Sequence, residues 1–230
     1  MIDPQKAILK LRRPPAAHNW VKSLRPRRDA TALALFNFAI NGPRHSLQKV
    51  SEIIGFVVFD GLSLEEARKC VSKISNPKVR TYGHEILKAI VPWIKERDLK
   101  GVQIFKDLSE LYRVSSTVSV PVRPTFVVRE GTQITPYFVI CWAKMDLDRY
   151  QKRILSTVIV DAILRLEEFE GSDARVVCVP RYRGSKSERF VSDWWISEYP
   201  PLSDAEKAEL FNRYESALSD AEKMILDNLG

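Results

Sequence analysis

The run Pro136-Tyr137-Phe138-Val139-Ile140-Cys141-Trp142-Ala143-Lys144 decides the architecture. Its apolar residues do not alternate with polar ones, so a strand here has no solvated face and must be covered on both sides. The run before it, Phe126-Val127-Val128-Arg129, ends in the turn signal Glu130-Gly131, which predicts a hairpin between the two. Downstream, Tyr150, Ile154, Leu155, Val158, Ile159, Ala162, Ile163 and Leu166 recur at helical spacing. Asp146 or Asp148 serves as the N-cap of that helix and Gly171 as its stop. Residues 174–180 then read as a strand, which after a helix can return parallel to the run at 136–144 through a right-handed crossover. Upstream, Val114, Val118 and Val120 stand among Ser and Thr as in a half-exposed strand, preceded by a short amphipathic helix with Ile104, Leu108 and Leu111. Ser203 with Glu206 forms a capping box opening a terminal helix that turns Leu210, Tyr214, Leu218 and Met224 inward.

The first hundred residues carry helical signals instead. Leu33, Leu35, Phe36, Phe38, Ala39 and Ile40 form an apolar helix that stops at Asn41-Gly42-Pro43. Ser46 caps a second helix carrying Val50, Ile53, Ile54 and Val57. Ser63 with Glu66 is a capping box for a third, and Asn76-Pro77 supplies a cap and first-turn proline for a fourth that contains Pro92. Before these, Pro14-Pro15 and Pro26 interrupt a segment without a sustained apolar period. The expected organisation is a basic arm at 1–28, a helical subdomain at 29–99 and a mixed-sheet domain at 100–230, in the α+β or α/β class.

Of the 230 residues 45% are hydrophobic, enough for a sizeable core and against disorder throughout. No uninterrupted apolar stretch reaches membrane-span length, so no membrane association is expected. Cys70, Cys141 and Cys178 are odd in number, far apart and set in apolar runs, as reduced thiols of a cytoplasmic protein would be. His18, His45 and His84 have no ligands at metal spacing. No glycine-rich phosphate loop, nucleophile elbow or dinucleotide fingerprint is present.

The order helix, three strands, helix, strand over residues 100–181, with Arg123-Pro124-Thr125-Phe126-Val127-Val128 and Cys141-Trp142-Ala143-Lys144, resembles the core of the PD-(D/E)XK phosphodiesterase superfamily, the fold of restriction endonucleases. In that family a Pro-Asp opens the second core strand and a Glu-x-Lys ends the third. The carboxylates hold Mg²⁺, and the lysine positions the attacking water and the phosphate. The resemblance implies that Lys144 stands at the lysine position, Thr125 at the aspartate, Trp142 at the glutamate, and Gln151 at a supporting glutamine of the next helix. A hydroxyl and an indole cannot replace two anionic ligands for a hard ion, so what it implies is the scaffold more than the reaction. Glu110 with Asp146 offers an alternative acidic pair, and Mg²⁺ is expected only if that pair rebuilds a site. Lys144 also reads as a strand-end lysine reaching solvent.

The net charge is +7, and residues 1–50 hold ten Lys or Arg against two acids, while residues 201–230 hold three against seven. Arg12, Arg13, Arg27 and Arg28 can contact phosphates, or equally the acidic terminal helix. A second cluster, Arg181, Arg183, Lys186 and Arg189, leaves the strand at 174–180 and precedes Trp194-Trp195. It reads as a phosphate and base clamp or as a charged loop over buried tryptophans. The leading function is a nuclease-like scaffold without its metal ligands, contacting DNA or RNA or another protein. The alternatives are an Mg²⁺-dependent nuclease with relocated acids, and a partner-binding protein, homo-oligomeric or not, that never touches nucleic acid.

Overall fold

A computed structural model describes residues 3–42, 46–144 and 147–229, so His45 and Asp146 lie outside the described residues. The chain opens with helices α1 (Pro4–Arg12), α2 (Ala17–Trp20), α3 (Arg28–Asn41), α4 (Gln48–Phe59), α5 (Leu64–Ser72) and α6 (Pro77–Glu96). Strands β1 (Glu110–Arg113), β2 (Ser119–Val122), β3 (Phe126–Glu130) and β4 (Gln133–Ile140) follow. Then come α7 (Arg149–Ile159), β5 (Arg175–Cys178), β6 (Ser192–Trp195) and α8 (Asp204–Leu229). Three expected caps are in place: Ser63/Glu66 closes a reciprocal box on α5, Asn76 accepts the Lys78 and Val79 amides, and Ser203/Glu206 closes one on α8. The N-cap of α4 is Leu47 and not the expected Ser46, whose hydroxyl accepts the Gln48 amide. Of the two aspartates offered for α7, Asp148 accepts the Gln151 amide at 2.8 Å.

The main sheet is mixed, in the order β3-β4-β5-β6. β3 and β4 form the antiparallel hairpin, with Phe126 opposite Tyr137, and β5 returns parallel to β4 with Ile140 opposite Cys178. Because successive strand residues point to opposite faces, Phe126, Val128, Tyr137, Val139 and Val177 enter one apolar cluster with α4, α5 and α6. Val127, Phe138, Ile140, Val176 and Cys178 enter another with α1, α2, α3, α7 and α8. The sheet is therefore dressed on both faces, which accounts for the unbroken apolar run of β4.

Four further expectations are corrected. Residues 1–28, read as a basic arm, form α1 and α2 and wrap onto the body: Ala7, Leu11, Ala17, Trp20, Val21 and Leu24 are buried, and α1 packs on α3 and α8. Asp3 accepts the Gln5 and Lys6 amides and Pro4 opens α1, a start signal that outweighed the later prolines. The helices at 29–99 are no single unit, since α3 joins one face of the sheet and α4, α5 and α6 the other. The helix expected around Ile104, Leu108 and Leu111 is a single 3-10 turn (Gln103–Phe105) leading into β1, where Leu111 is exposed. Finally, the strand read across 112–121 is a separate two-stranded hairpin, β1 with β2, outside the main sheet. Its reversal between Arg113 and Ser119 is held by Ser115, whose hydroxyl accepts the Thr117 and Val118 amides.

Candidate nucleic-acid interface

Three segments meet at one end of the main sheet. β3 starts there, β4 ends there, and β5, being parallel to β4, ends there too. Backbone hydrogen bonds carry the pairing beyond the strands, from the Val179 amide to the Ile140 carbonyl and from the Arg181 amide to the Ala143 carbonyl. Arg123 leads into β3, Lys144 follows β4, and Arg183 and Lys186 follow β5; all four are exposed. Arg149 opens α7 just beyond Lys144 and is also exposed. None of these five cations has a hydrogen-bond or ion-pair partner among the described residues. In sequence the nearest acids are Asp146, two residues past Lys144 and outside the described residues, Asp148, already engaged as a cap, and Glu188 on the same loop as Arg183 and Lys186. A groove of about 490 Å³ lined by Arg149, Tyr150, Arg153 and Pro200 runs off the start of α7.

Beneath the rim lies a buried ion cluster. Arg189 has a side chain only 1% exposed, and its Nε donates to Glu85 of α6 at 3.1 Å. Its Nη1 donates to the carbonyls of Cys141, Trp142 and Val179 at 3.2, 3.2 and 2.7 Å. Those carbonyls are the loose ends of the parallel pair β4 and β5, so one guanidinium closes the strand ends that backbone pairing leaves open. Arg181 shares Glu85 at 2.8 Å and lies over the Tyr82 ring at 5.1 Å. Burial pulls the Arg189 guanidinium below its ordinary range while Glu85 opposes that pull.

The residues named by resemblance have structural employment. The Thr125 hydroxyl accepts the Val139 amide at 2.9 Å, which extends the β3–β4 ladder by one bond. Thr125 and Lys144 lie at the same end of the sheet, Lys144 exposed. Gln151 is buried: its Oε1 accepts the Asp148 amide at 3.2 Å, and its Nε2 donates to the Leu24 carbonyl at 3.0 Å. It thereby ties the N-terminal segment to α7. The Trp142 indole donates to Asn19 Oδ1 at 2.8 Å, and Asn19 Nδ2 lies 3.0 Å from His18 Nε2. That chain of donors leaves His18 Nε2 as an acceptor, and burial pushes its pKa down to about 4. Lys22 lies over the Trp142 ring, 4.2 Å from its centroid. His18, Asn19 and Lys22 thus pack around Trp142.

Two of the four N-terminal arginines go to the acidic terminal helix, one of the two fates read from charge. Arg12 makes a bidentate pair with Glu222 at 2.8 and 3.1 Å, and Arg28 one with Asp220 at 2.7 and 2.6 Å. Arg27 pairs with Asp29, and Arg13 is exposed with no partner among the described residues. The tryptophans after the loop belong to β6: Trp194 is buried, and Trp195 lies under Arg175 at 4.4 Å. Burial pushes the Cys141 and Cys178 thiols up to about 12, which removes them as nucleophiles. Among the described residues no three of His, Cys, Asp or Glu group as metal ligands, and Glu110 is on β1, outside the main sheet.

Sequence reasoning missed Glu85, Arg123 and Arg149. Arg149 did carry a signal, because a cation in the first turn opposes the helix dipole and is left there unpaired only at a cost. Compared with family models, with curated proteins and with solved structures, the chain matches none.

Proposed function

We propose that this chain binds nucleic acid through the phosphate backbone, on a nuclease-like scaffold whose metal-ligand positions hold Thr125 and Trp142. The observation that carries the reading is the gathering of Arg123, Lys144, Arg149, Arg183 and Lys186, exposed and without a partner among the described residues, at one end of the main sheet. Cations already paired to carboxylates have little to offer a phosphate, whereas free ones exchange condensed counterions for protein contact. The antiparallel β3–β4 hairpin, the α7 connection and the parallel return of β5 support the scaffold half of the reading.

A gel shift at several salt concentrations tests it. Binding should weaken steeply as salt rises, with a log–log slope of about −0.7 to −0.9 for each phosphate contacted. A salt-independent shift, or none at low salt, sinks the proposal. Supercoiled plasmid incubated with Mg²⁺ addresses the enzymatic alternative, which gains ground only if nicking occurs and Lys144→Ala abolishes it.

A further inference from the structure

The loop that follows β5 presents an aromatic ring as well as charge. Arg181 and Arg189 bridge in antiparallel fashion, the Tyr182 amide donates to the Glu188 carbonyl at 3.0 Å, and the Ser185 amide donates to the Tyr182 carbonyl at 3.0 Å. The Ser185 hydroxyl accepts the Ser187 and Glu188 amides at 3.3 and 2.8 Å, and Gly184 turns the chain at φ +82°. With its base clamped by Glu85, the loop is a preformed hairpin rather than a charged tether. Tyr182 stands on it 53% exposed, backed by the Phe190 ring at 4.8 Å. Arg183 and Lys186 flank it, both exposed.

From this we infer that the loop is a stacking site for single-stranded nucleic acid: an unpaired base lies on the open side of Tyr182 while its neighbouring phosphates meet Arg183 and Lys186. A ring already held on one side by Phe190 loses little freedom when a base covers the other, and stacking on an aromatic accepts any base. In a duplex the base faces are covered by their neighbours, so Tyr182 selects unpaired strands, while the remaining rim cations contact phosphates of either form. This inference rests on the phosphate-binding reading above.

The test uses the full chain with an oligonucleotide carrying one 2-aminopurine, single-stranded or annealed to its complement. Tyr182→Phe keeps the ring; Tyr182→Leu keeps an apolar cover over Phe190 without one. Single-stranded binding should quench the 2-aminopurine and weaken about 5- to 100-fold in Tyr182→Leu, with duplex affinity within about twofold of wild type and Tyr182→Phe close to wild type throughout. Equal affinities of Tyr182→Leu and wild type for single strands overturn the stacking site while leaving the phosphate reading intact. So does an equal loss on both forms. Failure of wild type to bind either form overturns both readings, and retention of an acidic peptide in place of both oligonucleotides assigns the rim to a protein partner.

Discussion

The N-terminal basic stretches and the strand-end rim contain the same residue types, yet the molecule uses them in opposite ways. Arg12 and Arg28 close on Glu222 and Asp220 and fasten α1 and α3 to α8. Lys144, Arg149, Arg183 and Lys186 have no such partner among the described residues and lie on segments converging at one end of the sheet. Net charge along the chain located the first group but not its partners. What decides availability is where the acids fall in space, and the acidic face of α8 cancels the basic start.

The most severe way to break this contrast is to remove the support under the rim. Glu85→Leu leaves the Arg189 guanidinium, 1% exposed, without its carboxylate. The expected loss is about 3–5 kcal/mol, a fall of roughly 10 °C in thermal midpoint. Arg189→Leu should cost a comparable amount, because it strands the Cys141, Trp142 and Val179 carbonyls and leaves Glu85 with Arg181 alone; either variant within about 1 kcal/mol of wild type would contradict the ion-cluster role. Next in size is Gln151→Ala, which strands the Asp148 amide, leaves the Leu24 carbonyl with Arg25 Nη1 alone and empties a buried site. A loss of about 2 kcal/mol by chemical denaturation is expected, and no change would mean that segment 22–24 is not held through this side chain.

His18 gives a pH signature of the packed N-terminus. Its folded pKa of about 4 lies below the ordinary 6.5, so the unfolded chain takes up a proton first. Stability is then complete above pH 6.5 and lost progressively as pH falls towards 4, by on the order of 3 kcal/mol in all and about 2 kcal/mol by pH 5. Denaturation midpoints between pH 7 and 5 should fall in wild type and stay flatter in His18→Phe; parallel curves would place His18 in contact with solvent. Smallest of all is Arg12→Ala with Arg28→Ala. Both pairs are solvent-exposed, so the thermal midpoint should move by no more than about 2 °C and nucleic-acid affinity by less than about twofold.

Local signals in the sequence were read well and distant pairings were not. The capping boxes at Ser63 and Ser203, the Asn76-Pro77 start, the β3–β4 hairpin and the return of β5 each depend on neighbours within a few residues or on one apolar run. The separate β1–β2 hairpin was missed because Val114, Val118 and Val120 look alike whether a chain runs on or doubles back at Ser115. β6 was missed because Ser192-Asp193-Trp194-Trp195 has no period long enough to stand out. At the candidate site, Lys144, Arg183 and Lys186 were named and are exposed without a partner among the described residues, but Arg181 and Arg189 were named for phosphate contact and are held by Glu85, Arg189 buried. Its partner Glu85 lies 104 residues away, and nothing local in either stretch announces the pair.

Salt dependence of oligonucleotide affinity separates the two basic groups most directly. The variant Lys144→Glu/Arg149→Glu/Arg183→Glu/Lys186→Glu should lose more than about 100-fold in affinity at low salt and flatten the log–log slope by about 3, while Arg12→Ala/Arg28→Ala binds like wild type. Wild-type affinity and slope in the rim variant, or their loss in the N-terminal one, would contradict the assignment of phosphate binding to the strand ends.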